Sequence, residues 1–145
     1  MTERLATDTK LQALMAELAS GNRAMDDPAF FEGVLGHVVS LWVSGEVTLP
    51  GIETAPEFGR RVRAAFERIL ASAGDARHVA VVTSNGVIGW LAGHVAGEAE
   101  PERSCLHRRL FNASVSRFTV TNGRLQQSDW NVTDHLTDGH LKTIF

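Results

Sequence analysis

A single cysteine, Cys105, excludes an internal disulfide, and a reduced compartment is the simplest setting. No run of about 18 apolar residues occurs, so no helix is expected to span a membrane. Met1 to Lys10 is polar and mixed in charge and lacks the apolar centre of a signal peptide. The expected location is therefore the cytoplasm, and the glycosylation sequons at Asn112 and Asn131 read as accidental. Basic residues are not in excess: 14 Lys and Arg face 17 Asp and Glu, for a net charge of −3. That balance disfavours nucleic acid as a partner. Paired Cys/His spacing is missing too. His94 and His107 stand alone, and the interval from His135 to His140 does not put them on one helical face. No metal and no cofactor is expected. Internal repeats and low-complexity tracts are absent.

What remains is an ordinary globular composition, with 43% hydrophobic and 21% charged residues. A chain of 15.8 kDa exposes roughly 7,300 Å² when folded and roughly 22,900 Å² when open, so about two-thirds of its surface can be buried. One core fits that size, and residues 1–145 read as one domain whose first ten residues fray.

Leu11, Leu14, Met15 and Leu18 keep helical spacing and stop at Ser20-Gly21-Asn22. A second helix starts near Asp26-Asp27-Pro28, where acids and proline suit a first turn, and ends at Ser44-Gly45. Phe30, Val34, Val38, Leu41 and Trp42 form its apolar face. Val47 to Pro56 is rich in proline and glycine and reads as a loop. Thr54 and Glu57 have capping-box spacing ahead of a third helix, which runs to Gly74. Its stripe is Phe58, Val62, Ala65, Phe66, Ile69 and Leu70, with Arg60, Arg61, Arg63, Glu67 and Arg68 on the other faces.

His78 to Thr83 (HVAVVT) reads as a strand covered on both faces. Ser84-Asn85-Gly86 breaks it, and a helix over Val87 to Val95 turns Ile88, Leu91, Ala92 and Val95 inward. This is half of a βαβ unit. A loop around Pro101 and a short helix over Leu106 to Leu110 follow. Ser114 to Thr121 and Leu125 to Val132 flank the hairpin turn Asn122-Gly123. The fold class is α/β, with a small mixed sheet flanked by helices.

The turn Ser84, Asn85, Gly86 is the candidate phosphate- or anion-binding site. It lies at the carboxyl end of a strand and at a helix N-terminus, where backbone N–H groups suit an anion. The competing reading is a plain strand-to-helix turn in which Ser84 or Asn85 only caps the helix. Ser84 is not a hydrolase nucleophile of the elbow type, because Gly-x-Ser-x-Gly lacks its first glycine here. Arg60, Arg61 and Arg63 read as a solvated helix face. Trp42, Trp90 and Trp130 read as core or half-buried residues, and Cys105 as inert.

The order EFGRRVRAAFERIL, HVAVVTSNGVIGWL, LFNASVSRFTVTNGRL and NVTDHL resembles the C-terminal part of the histidine phosphatase superfamily, which includes the phosphoglycerate mutases. The family's turn reads like VVSHGGVI and its later hairpin like NASVTRL, with an HL pair near the C-terminus. Asn112 to Arg117 and His135-Leu136 match that series. Gly51 to Phe58 resembles the family's Gly-Glu-Ser-x-x-x-Phe stretch, with Glu53 in the acidic place.

The resemblance implies a phosphoglycerate mutase-like three-layer fold and phosphatase or phosphomutase chemistry on a phosphorylated small molecule. It also exposes two departures. The family's nucleophilic histidine sits in Arg-His-Gly after the first strand, and no Arg-His-Gly occurs here. His78 follows Arg77 but precedes Val79. Ser84 stands where the family's second active-site histidine does, although a branch with TSGG-like turns carries serine there. One neutral hydroxyl stabilises transition-state charge less than a charged imidazole.

On this reading the fold is incomplete, lacking its N-terminal strand, and no catalytic residue is assigned. Three accounts stay open. The chain is a shortened product, or a non-catalytic anion- or protein-binding module, or a protein whose exposed sheet edge is covered by a partner such as a second copy. A cone-shaped α+β ligand-binding fold needs more strands than are visible.

Overall fold

The computed structural model describes residues 3–24, 26–99, 110–122 and 124–144. Cys105, His107, Gly123, the loop at Pro101 and the helix expected over Leu106 to Leu110, apart from Leu110 itself, lie outside them. Two compact units, residues 1–58 and 59–145, divide the chain.

The first unit is helical. It holds α1 (Glu3–Thr7), α2 (Thr9–Ala19), α3 (Pro28–Val43) and the first turn of α4 (Ala55–Ser72). Helix α1 falls within the ten residues expected to fray. Leu5 on α1 is buried and clusters with Leu41 and Val47, flanked by Leu11 and Leu49. Fully burying such a side chain stabilises by about 1.5–3 kcal/mol, which offsets part of the entropy of ordering α1.

The helix ends follow their sequence signals. Asp8 caps α2, its carboxylate accepting from the Leu11 N–H at 2.8 Å. Asp27 caps α3, accepting from the N–H groups of Ala29 and Phe30, with Pro28 in the first turn. The Phe30 bond first, then the Arg23 guanidinium and the Ala29 bond, hold the Asp27 carboxyl below the usual carboxylate range. Gly21 and Gly45 follow the ends of α2 and α3 with φ of 72° and 74°, the left-handed conformation that glycine adopts freely.

The loop before α4 is shorter than expected, because Pro56 falls inside the helix's first turn. The capping box forms. Thr54 donates its N–H to Glu57 Oε2 at 2.7 Å, and Thr54 Oγ1 accepts from the Glu57 N–H at 3.4 Å.

In the second unit α4 continues, with Val62 buried and Arg60, Arg61, Arg63, Glu67 and Arg68 exposed. Helix α5 (Asn85–Val95) starts two residues earlier than Val87 and buries Gly89 to Gly93. An antiparallel pair follows, β1 (Val115–Thr121) and β2 (Arg124–Val132), in the register Phe118 to Gln127 and Val120 to Leu125. The ladder is irregular around Arg117, whose guanidinium still reaches Asp129 at 3.0 Å. Asn122 in the connecting turn has φ of 52°, as a tight hairpin requires. A short 3₁₀ turn (Gly139–Leu141) leads to a bridge between Ile144 and Phe111.

The class is α/β, as expected, but among the described residues the sheet is this antiparallel pair alone. The parallel-type strand over His78 to Thr83 is overturned. The segment has no ladder among the described residues and is exposed along its length. Val79 is 49% exposed, Val81 42%, and Val82 fully so. A strand is stabilised by its neighbours' backbone groups and side chains, and β-branched composition alone does not supply them.

Candidate functional site

The exposed run His78–Thr83 leads directly into the Ser84-Asn85-Gly86 turn. Ser84 occupies the N-cap position of α5 in an extended conformation, with φ −98° and ψ 163°. Its carbonyl accepts from the Ile88 N–H at 3.1 Å. Its hydroxyl makes no capping bond, so the plain-cap reading of Ser84 is not what the geometry shows. Ser84 and Asn85 are exposed and Gly86 is half-buried. The first turn of a helix points its N–H groups outward with partial positive charge, and a free hydroxyl beside it adds a donor for an anionic oxygen.

Glu53 belongs to the first unit and is half-buried. Its backbone carbonyl accepts from the Trp42 indole N–H at 2.7 Å, and Trp42 meets Phe58 edge to face at 5.8 Å. That arrangement fixes the segment leading to the α4 capping box.

The matched stretch from Asn112 onward is polar and held together. Asn112 donates its side-chain amide to Thr143 Oγ1 at 2.9 Å, and His135 Nε2 lies 2.9 Å from the Ala113 carbonyl. Asn131 Oδ1 accepts from the Phe111 N–H at 2.8 Å. Both sequon asparagines thus have structural duties. Ala113 and Asn131 take φ of 58° and 55°, which is costly for a residue with a side chain.

His94, which has no metal-spacing partner in the sequence, has an aromatic one in the structure. Its ring stacks on Trp90, with centroids 5.0 Å apart and planes at 13°. Burial, and then the Arg63 charge, push the imidazole pKa below its usual value, while Glu67 pulls it up. The sequence signal was the i, i+4 spacing of Trp90 and His94 within one helix. Along the same helix an open groove of about 430 Å³ is lined by Ala92, Val95, Ala96, Leu125, Gln126 and Gln127. It carries no titratable group and does not include the Ser84 turn.

Among the described residues no cluster of three or more His, Cys, Asp or Glu side chains could hold a metal ion. No helix among them is long and apolar enough to cross a membrane.

A family model described as histidine phosphatase superfamily (branch 1) matches residues 35–133. The chain belongs to the histidine phosphatase superfamily. The match takes in Glu53, the α4 capping box, the Ser84 turn, α5 and the whole hairpin. No curated protein and no solved structure matches it significantly.

Proposed function

We propose that these 145 residues correspond to the C-terminal portion of a histidine phosphatase. In this reading they bind the phosphoryl group of a phosphorylated small molecule at Ser84, Asn85 and Gly86 without hydrolysing it, in the reduced setting of the cytoplasm. The observation that carries the reading is the uncommitted Ser84 hydroxyl at the start of α5, inside the segment matched to the superfamily. Hydrolysis in this family, as the resemblance implies, passes through a phosphohistidine formed on Arg-His-Gly, and no such tripeptide occurs in the chain. Without a nucleophile no covalent intermediate forms, and a neutral serine at the second position adds only a weak hydrogen bond to the phosphoryl oxygens.

The test pairs turnover with binding. Purified protein is assayed against p-nitrophenyl phosphate and titrated with inorganic phosphate by NMR. The expected result is no turnover, with phosphate-dependent shifts at Ser84 to Gly86 that vanish in Asn85→Pro, which removes one backbone donor. Turnover abolished by substituting one of the chain's own residues overturns the reading. The intact mass of the native protein adds a second arm. A longer product carrying Arg-His-Gly upstream replaces the non-catalytic reading with an active phosphatase.

A protein-binding module is the second reading. The exposed valines of the His78–Thr83 run favour it, since an extended, unladdered apolar segment accepts a strand from another chain.

A further inference from the structure

Residues 74–83, between α4 and α5, are all exposed. Among the described residues their backbone makes one hydrogen bond, from the Ala76 N–H to the Ala73 carbonyl at 2.9 Å. From His78 to Thr83 the chain joins neither a helix nor a ladder, and Val79, Val81 and Val82 are open to solvent. Arg77 stands just before this run, exposed and with no ion pair among the described residues.

A protein that recognises an extended peptide pairs with its backbone as one strand pairs with another, and takes alternate side chains into pockets. Chain whose backbone groups are already free enters such a cleft directly, whereas a helix or a ladder must first open locally. An arginine side chain fits an acidic specificity pocket beside a hydrolytic centre. We propose that the Arg77–His78 bond is a recognition and cleavage site for proteases that cut after arginine. The protease's nucleophile adds to the Arg77 carbonyl carbon, the C–N bond breaks, and the His78 nitrogen leaves as an amine after taking a proton. Water then releases the Arg77 carboxylate, and water is the only reactant consumed.

Other arginines are held by structure. Arg60, Arg61, Arg63 and Arg68 lie within α4, and Arg117 and Arg124 within the hairpin ladder, where Arg117 also pairs with Asp129. Cleavage at Arg77 divides α4 from α5 and turns the valine run into the amino-terminal arm of the α5 fragment. It severs the lead-in to Ser84 and leaves the turn itself whole.

The experiment is limited digestion of the purified full chain with trypsin, followed by intact mass and amino-terminal sequencing. The expected product begins His78-Val79-Ala80 and forms at least about tenfold faster than any cut in α4 or the hairpin, because cleavage follows the population of open chain. Arg77→Gln should lose this product and Arg77→Lys should keep it. Synthetic peptides spanning 58–70 and 72–84 are the unfolded references, and both should be cut at comparable rates. Cuts in α4 as fast as the one at Arg77, or an Arg77–His78 bond that outlasts them, overturn the proposal. A tenfold preference already present between the two peptides also overturns it, since the structure then contributes nothing.

Discussion

The imidazole of His94 lies flat on the indole of Trp90, one helical turn earlier in α5, and the indole is buried. The stack is a contact of the neutral ring, because burial and the Arg63 charge oppose protonation more than Glu67 favours it. The folded-state pKa thus lies below the unfolded one, and between the two the unfolded chain binds more protons. Stability supplied by neutral His94 is complete above about pH 6.5 and is lost as pH falls toward the folded value. Urea midpoints should fall with acidification over that window, and a Trp90-reported transition should follow. In His94→Gln that portion of the pH dependence should vanish. An unchanged acid slope in the variant refutes the assignment.

Thr54→Ala should lower stability by about 1 kcal/mol, because it removes the hydroxyl that caps α4. Glu57→Ala should cost a similar amount, and the double variant less than their sum, since the two side chains serve one another. Urea denaturation of the four proteins measures this. Additive losses contradict a reciprocal box.

Asp8 is buried, and one oxygen, Oδ1, meets both the Leu11 N–H and His37 Nε2 at 2.8 Å. Asp8→Ala should cost about 2–4 kcal/mol, combining the lost cap with a part-buried imidazole left without its acceptor. Asp8→Asn keeps the cap and should cost less. Equal losses in the two variants speak against the cap as a separate contribution.

Val82 should tolerate lysine. Its side chain is fully exposed, so Val82→Lys should change the melting free energy by no more than about 0.5 kcal/mol. The run from His78 to Thr83 has no proline and no permanent charge, the composition that lets exposed strands add to one another. The substitution should therefore reduce light scattering at high concentration. Equal scattering by both proteins places self-association elsewhere.

The helices were legible because their signals are local. Asp27, Thr54 and Glu57 cap where their side chains reach, and Asn122 turns the hairpin through its own φ. The run His78–Thr83 misled because strand status depends on partners that composition does not reveal. Helix Glu3–Thr7 was not legible for the converse reason: Leu5 packs with Leu41 and Val47, distant in sequence. At the candidate site, position was legible and state was not. The order of residues placed Ser84 at a helix start, but only geometry shows that its hydroxyl leaves the helix uncapped. His94 escaped notice because a search for metal spacing asks about other histidines, and its neighbour is an indole.

The joining of Asn112 to Thr143, through both backbone and side chain, closes a loop that the hairpin shortens. The two residues are 31 positions apart, and closing that span in an open chain carries a substantial entropic cost. Once β1 and β2 have paired, most of the span is already folded back on itself, and only the short segments beyond Val115 and Val132 remain to be brought together. The hairpin is in this sense the template on which the tail closes. A substitution that weakens pairing at the Asn122 turn should also weaken the bridge of Ile144 to Phe111, because the loop that the tail must close becomes longer.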